Sequence, residues 1–230
     1  VAHDYDKARR VPSQFVAEFS RATSLAHDTW IKARPANDFA SLRPFLEDVF
    51  RLRLTYAEFF APYAHPYDPL LDDFDQGLTL QQVRAVFDEL RPRQVALVRA
   101  IREHGRPIDN SVLHRDYDVQ KQWDFGIEVA RAFGVDDASF RLDPTVHPFC
   151  LSLDVHDVRL TTRYGDSLAD HSLFSVMHEA GHGLYEHGID PRFSRTPLAT
   201  GASTALHESQ SRLWENLVGR SHGFWPHFFP

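Results

Sequence analysis

Apolar residues recur every three or four positions through most of the chain up to Gly134, the period of one buried helix face rather than of a strand. Between Pro12 and Lys32 they are Phe15, Val16, Phe19, Ala22, Leu25, Ala26, Trp30 and Ile31, which predicts a long helix. Pro35 is expected to break it and Asp38 to cap the next. There Phe39, Leu42, Leu46, Val49, Phe50, Leu52, Leu54 and Phe59 carry a broad apolar stripe to about Pro62. Pro62, Pro66 and Pro69 mark a loop that ends in Asp72, Asp73 and Asp75. These carboxylates lack the spacing and terminal Glu of a calcium loop, so a solvated turn is expected. Thr79 and Gln82 form a capping-box signature for a helix through Val83, Val86, Phe87 and Leu90, which Pro92 should kink or restart before it ends near His104. A further helix runs from about Val119 to Phe133 and closes on Gly134.

Beyond Gly134 the pattern shortens. Phe149 to Leu153 and Val158 to Tyr164 are β-branched or aromatic runs separated by Asp154-Val155-His156-Asp157, the look of a small hairpin. Helical spacing then returns at Leu173, Phe174 and Met177, led in by His171 and Ser172, and stops at Gly188. A last helix is expected around Ala205 to Asn216, with Leu206, Leu213, Leu217 and Val218 on its apolar face. The expectation is a mainly α fold, one domain over residues 1–230, with a small β-hairpin or sheet beside its working site. Internal repeats and low-complexity segments are absent from the sequence.

Composition narrows the function classes. Hydrophobic content of 43% and charged content of 25% are those of an ordinary globular protein. A net charge of -7 and a pI near 6.0 argue against a nucleic-acid or anionic-membrane partner, either of which needs a basic surface. No apolar run is long enough to span a bilayer, and no apolar stretch follows the first charged residues as in an export signal, so a cytoplasmic protein is expected. The single cysteine, Cys150, rules out an intramolecular disulfide and reads as a buried, inert thiol between Phe149 and Leu151. The chain begins without methionine and stops after an aromatic run at Phe228-Phe229-Pro230, which suggests a fragment of a longer protein.

The chemistry concentrates in Met177-His178-Glu179-Ala180-Gly181-His182, a His-Glu-x-x-His motif. Residues four apart on a helix lie one turn apart on the same face, so both imidazoles can grip one tetrahedral ion, most naturally zinc. Glu179, one step round, can reach a water activated there without taking a coordination position. Gly181 and Gly183 each cost helix propensity of about 1 kcal/mol against alanine, which makes sense if something approaches that backbone closely. With 14 histidines the motif can also arise by chance as two surface histidines, and a third ligand separates the readings. Glu208 is the best candidate, on the helix around His207-Glu208-Ser209-Gln210-Ser211. His207 competes as a ligand, although an outer or substrate-facing role explains it equally well. Glu215 competes too: it could hydrogen-bond the free nitrogen of a ligating histidine, or be a solvated surface residue.

These residues suggest a family. Met177-His178-Glu179-Ala180-Gly181-His182-Gly183, together with His207-Glu208-Ser209-Gln210-Ser211 and Leu213-Trp214-Glu215-Asn216, closely resembles the M32 metallocarboxypeptidases, the thermostable carboxypeptidase family. His147-Pro148-Phe149, Asp157-Val158-Arg159-Leu160-Thr161-Thr162-Arg163-Tyr164 and Tyr67-Asp68-Pro69-Leu70-Leu71-Asp72 look like further family signatures, so the similarity covers nearly the whole chain. The resemblance implies a helical, gluzincin-type metallopeptidase fold with a long substrate groove, and a homodimer. It also implies release of single C-terminal amino acids, with broad specificity, from peptides with a free C-terminus, using zinc or cobalt. His178, His182 and Glu208 would then be the ligands and Glu179 the general base acting on a metal-activated water.

The departures matter as well. Members of the family are roughly twice as long, and this chain lacks their first helices, an Ile-Arg-x-x-Ala-Asp-like element and a Gly-x-x-Gln-Asp-x-His-Trp-like element. The missing arginine is the expected clamp for the substrate carboxylate. Arg159 and Arg163 are candidates for that task, with structural salt bridges the plainer expectation for both. Two other classes stay open: an oligopeptidase or endopeptidase with the same metal, told apart by whether cleavage needs a free C-terminus, and an inactive metal-binding fragment.

Overall fold

The helices that apolar periodicity marks before Gly134 all form, and their caps explain where they begin and end. The structure, a computed structural model, describes residues 1–165 and 172–229. His171 and Pro230 lie outside the described residues.

One compact unit spans Val1–Gly105. It opens with α1 (Ala2–Arg10) and α2 (Ser13–Ala36); the latter stops at Asn37, whose left-handed backbone (φ 52°) turns its N–H back onto the last carbonyls. Pro35 thus sits in the final turn, and the helix ends after it instead of before it. In α3 (Phe39–Glu58), Asp38 caps the first turn by accepting from the Ser41 amide at 3.2 Å. α2 and α3 pack through an aromatic cluster in which Phe15, itself buried, meets the Phe59 ring edge-on at 5.1 Å.

The short α4 (Asp68–Asp72) corrects the expectation of a solvated acidic turn. The Asp72 side chain is only 18% exposed and accepts from Lys7 Nζ at 2.7 Å and the Gly77 amide at 2.8 Å, with His3 Nε2 at 2.9 Å. Burial alone would push its carboxyl up, but these donors hold it down at about 2. The capping box of Thr79 and Gln82 is complete at the start of α5 (Leu80–His104). That helix runs through Pro92 without a restart. The donor that proline removes leaves one carbonyl short of a partner on an exposed helix, where water can serve it.

The second compact unit spans Arg106–Pro230. In α6 (Val119–Phe133) Asp118 accepts from the Lys121 amide, and the helix ends at Gly134, whose φ of 111° only glycine adopts without strain. The predicted hairpin is present as β2 (Cys150–Asp154) and β3 (Asp157–Thr162), paired antiparallel with an irregularity between Ser152 and Asp154. It belongs to a three-stranded sheet, because β1 (Phe140–Pro144) pairs parallel to β3 from Phe140 opposite Val158 to Pro144 opposite Thr162. Only Phe140 and Leu142 alternate inward along β1 before Pro144 ends it, too short a period to read as a strand.

Against this sheet and α6 lies α7 (Leu173–His187), with Val176 and Ala180 in a core shared with Phe140, Leu142, Val158 and Leu160. Its other apolar side, Leu173 and Met177, joins Val129 and Phe224 of α9 (Phe224–Phe228). The remaining partner is α8 (Thr204–Arg212), capped by Ser203 and continued by a widened π-type turn, Leu213–Val218. Of the expected apolar face, only Val218 packs inward, against the core of Leu173, Met177 and Phe224. Leu206, Leu213 and Leu217 are exposed, whereas Ser211 and Glu215 are buried. α8 and its π-turn turn polar groups inward because the α7 surface they meet carries the histidines.

Candidate metal centre

The approach of α8 to α7 is set by a glycine. A Cβ at Gly181 would lie 2.6 Å from Ser211 Cα and 2.7 Å from the Gln210 carbonyl oxygen, so no side chain fits between the two backbones. Gly183 does the same toward the sheet, where a Cβ would meet Phe140, Leu160 and Val158 at 2.8–3.0 Å. The two glycines that look costly in a helix thus allow α7 to be sandwiched closely, and this brings Glu208 to the motif histidines.

His178, His182 and Glu208 come together with one potential ligand atom each, all within 4.8 Å of one another. The two Nε2 atoms are 3.2 Å apart, and the Glu208 oxygens lie 3.7 Å from His178 Nε2 and 3.9 Å from His182 Nε2. Donors about 2.0–2.1 Å from a tetrahedral zinc are separated from one another by roughly 3.3 Å, so small side-chain movements would close the set.

The hydrogen bonds around the ring assign the protons. His178 Nδ1 lies 2.9 Å from Glu215 Oε2 and must carry hydrogen to face a carboxylate. His207 Nε2 lies 2.6 Å from Glu186 Oε1 and carries hydrogen for the same reason. In the neutral ring His207 Nδ1 is then a lone pair, and the 2.6 Å contact with His182 Nδ1 requires His182 to donate. Burial, with the His178 and His207 rings alongside, pushes His182 down to about 4, in keeping with a neutral ring. With the His178 and His182 rings neutral, as ligation requires, both Nε2 atoms are lone pairs, facing each other and a carboxylate with no donor among them. Three electron-pair donors converging in this way are the chemistry of a cation site, and the residues fit a divalent metal.

Glu179 stands beside this set, 6% exposed, on the wall of a cleft of about 1060 Å³ that also presents His147, His178, Arg212, Glu215 and Arg220. Burial, reinforced by the like charges of Glu208 and Glu215, pushes Glu179 up to about 8; a cation at the donor set opposes that rise. Of the other sequence candidates, His207 does not join the converging atoms but turns its ring between His182 and Glu186. Glu215 is not a solvated surface residue: its side chain is 12% exposed and is held by His178, Arg212 at 3.1 Å and Arg220 at 3.0 Å. Arg159 pairs with Asp157 at 3.0 Å on β3, and Arg163 lies just past the end of that strand. Cys150 is half-buried rather than buried, and burial, then Glu179 and Glu186, push its thiol up to about 12, which disfavours the thiolate.

Sequence reasoning missed Glu186, Arg212 and Arg220. Glu186 continues the row His178, His182 at four-residue spacing along α7, and that spacing is the available signal. The arginines give none, because their use depends on a π-turn that no local pattern announces.

The match to known proteins covers the same residues. Residues 1–230 match the family model described as Carboxypeptidase Taq (M32) metallopeptidase. Thermostable carboxypeptidase 1 of Thermus thermophilus is 40% identical over 235 residues, covering 98% of this chain and 46% of that protein. Carboxypeptidase 1 of Bacillus subtilis is 34% identical over 98% of this chain and 45% of its own length. Among solved structures, the M32 carboxypeptidase from Deinococcus radiodurans R1 superposes with a TM-score of 0.84 at 44% identity, over 99% of this chain and 47% of that one. The chain therefore spans about half the length of the relatives it matches. With motif, geometry and similarity over its whole length in agreement, the chain belongs to the M32, or Carboxypeptidase Taq, family of metallopeptidases.

Proposed function

We propose that this chain carries the metal centre of a metallocarboxypeptidase that releases single C-terminal amino acids, with broad specificity, from peptides with a free C-terminus. The observation that carries the reading is the convergence of three lone-pair donors, His178 Nε2, His182 Nε2 and a Glu208 oxygen, beside a buried Glu179 on the wall of a cleft. Two imidazoles and one carboxylate are a donor set for catalytic zinc, and cobalt suits the same ligands. When bound, the metal supplies a Lewis acid that polarises a carbonyl and makes water nucleophilic near neutral pH.

The residues of the chain do the rest. Glu179 takes the proton of the attacking water on its carboxylate and delivers it to the leaving nitrogen. Glu215, fixed by Arg212 and Arg220, holds His178 through Nδ1 and keeps its Nε2 aimed inward. Arg212 and Arg220 also line the cleft, with their guanidinium groups engaged by Glu215. A cytoplasmic homodimer is the assembly that fits the resemblance.

The test uses the full-length chain: metal content, then release of C-terminal residues from a blocked dipeptide, with Glu179→Gln alongside. The expected result is one divalent ion per chain, unchanged in the variant, with turnover reduced by about 10²–10⁴-fold. Cleavage that persists on a substrate whose C-terminus is amidated would sink the carboxypeptidase reading and favour an endopeptidase.

A further inference from the structure

Glu186 and His207 form a second hydrogen-bonded line behind the donor set, on the side away from Glu215. Glu186 is 5% exposed, a buried carboxylate on α7, and accepts from His207 Nε2 at 2.6 Å, the Gly201 amide at 2.9 Å and the Thr200 hydroxyl. His207 passes the contact on to His182 Nδ1 at 2.6 Å. The ring is fixed on its other edges too. Tyr185 meets it edge-on at 5.1 Å, and a Cβ at Gly201 would fall 2.5 Å from its Cδ2 atom, so the backbone of the loop before α8 closes directly over it. A buried carboxylate this enclosed needs its partners, and a surface histidine would need none of this.

The chain position adds the decisive point. His207 immediately precedes Glu208, so one stretch of α8 carries both the third donor and the group that grips the second. We infer that Glu186 and His207 are positioning residues that lock His182 in the tautomer with Nε2 free and, in the same contact, register α8 so that Glu208 arrives at the metal. This rests on the metal reading proposed above. Its consequence is specific: a group at position 207 that accepts from His182 and donates to Glu186 suffices, and it need not be an imidazole. A glutamine side chain does both, through its carbonyl and its amide nitrogen, whereas alanine does neither.

The experiment is zinc affinity of the full-length, metal-stripped chain by chelator competition, with the absorption spectrum of the cobalt form and the melting temperature of the metal-free form recorded beside it. His207→Ala is expected to weaken zinc binding by about 10–100-fold, and His207→Gln to restore most of that loss. Glu186→Ala should weaken binding less than His207→Ala, and the double variant should be no weaker than His207→Ala alone, since Glu186 acts through His207. The cobalt spectrum of His207→Gln should keep the wild-type band positions. Three results would overturn the inference. Affinity could be unchanged in His207→Ala, or the effects of Glu186→Ala and His207→Ala could add. His207→Gln could also lose metal as fully as His182→Ala, which would make His207 itself a ligand. A wild-type chain that binds no zinc would overturn the metal reading and this inference together, a result distinct from selective loss in the variants. If His207→Ala does not fold, the comparison of His207→Gln and Glu186→Ala with wild type still decides the matter.

Discussion

Among single residues, Gly181 shows how little latitude the site has. A methyl group there meets the backbone of α8, at Ser211 Cα and the Gln210 carbonyl, and neither can rotate out of the way as a side-chain tip could. Gly181→Ala gains helix propensity, yet it must push the two helices apart. The expected net effect is destabilisation on the order of 1–3 kcal/mol, read by denaturant unfolding, together with weaker metal binding because Glu208 rides on the displaced helix. An unchanged unfolding midpoint would show that α8 yields freely. The two histidines are legible in the sequence because His178 and His182 stand at helical spacing; Glu208, on another helix, is legible only as the best of three candidates beside His207 and Glu215. Glu186 is fainter: it continues the four-residue spacing of the histidines, but a glutamate on a helix is ordinarily a solvated one, and burial is what sets it apart.

At the scale of elements, local signals suffice wherever the chain itself sets the geometry. Asp38, Thr79 with Gln82, Asp118 and Gly134 start or stop helices through their own side chains or backbone freedom, and each is readable. Gly134 offers a clean check. A Cβ there would make only an ordinary contact, 3.7 Å from Leu184, so the cost of Gly134→Ala comes from its φ of 111° alone. The variant should lose about 1 kcal/mol or slightly more in equilibrium unfolding, with the cobalt spectrum of the metal site unchanged. Illegible elements are those that partners decide. β1 exists because β3 offers it a parallel edge, and α8 buries Ser211 and Glu215 rather than its leucines because polar groups on α7 await them. Pro92 misleads in the other direction: a missing donor matters less where water can reach the backbone.

For the molecule as a whole, stability should respond to acid and to chelation in separable ways. In the unit Val1–Gly105, Asp72 titrates at about 2, below the ordinary carboxylate value of 3.8. The unfolded chain therefore takes up the proton first as pH falls. The stabilisation from this group is complete above about pH 4 and is lost on the way down to about pH 2. Its size is on the order of 1–2 kcal/mol, since His3 and Asp73 leave the cluster partly open to water. Unfolding of the metal-free chain between pH 5 and 2.5, compared with Asp72→Asn, should show a shallower acid slope in the variant; equal slopes would assign the loss elsewhere. Chelation acts on the other unit. At free metal a hundredfold above Kd, removing the ion should cost about 2.7 kcal/mol and lower the melting temperature, an effect absent in His178→Ala. No helix among the described residues is long and apolar enough to cross a membrane.

The π-type turn from Leu213 to Val218 also has an evolutionary side. Such a turn holds one residue more than the α-helix it interrupts, so it behaves as an insertion that the helix has absorbed. Removing a single position from it, such as the partly exposed Leu213, would restore an ordinary helix: the chain beyond Val218 would keep its register, while the residues inside the turn would shift round the axis. Glu208 would keep its place, while Glu215 would rotate away from His178. The length of this segment therefore matters to the site independently of its composition. Substitutions on its outer face can drift, but a one-codon deletion would strip the first histidine of its support while leaving every ligand in the gene.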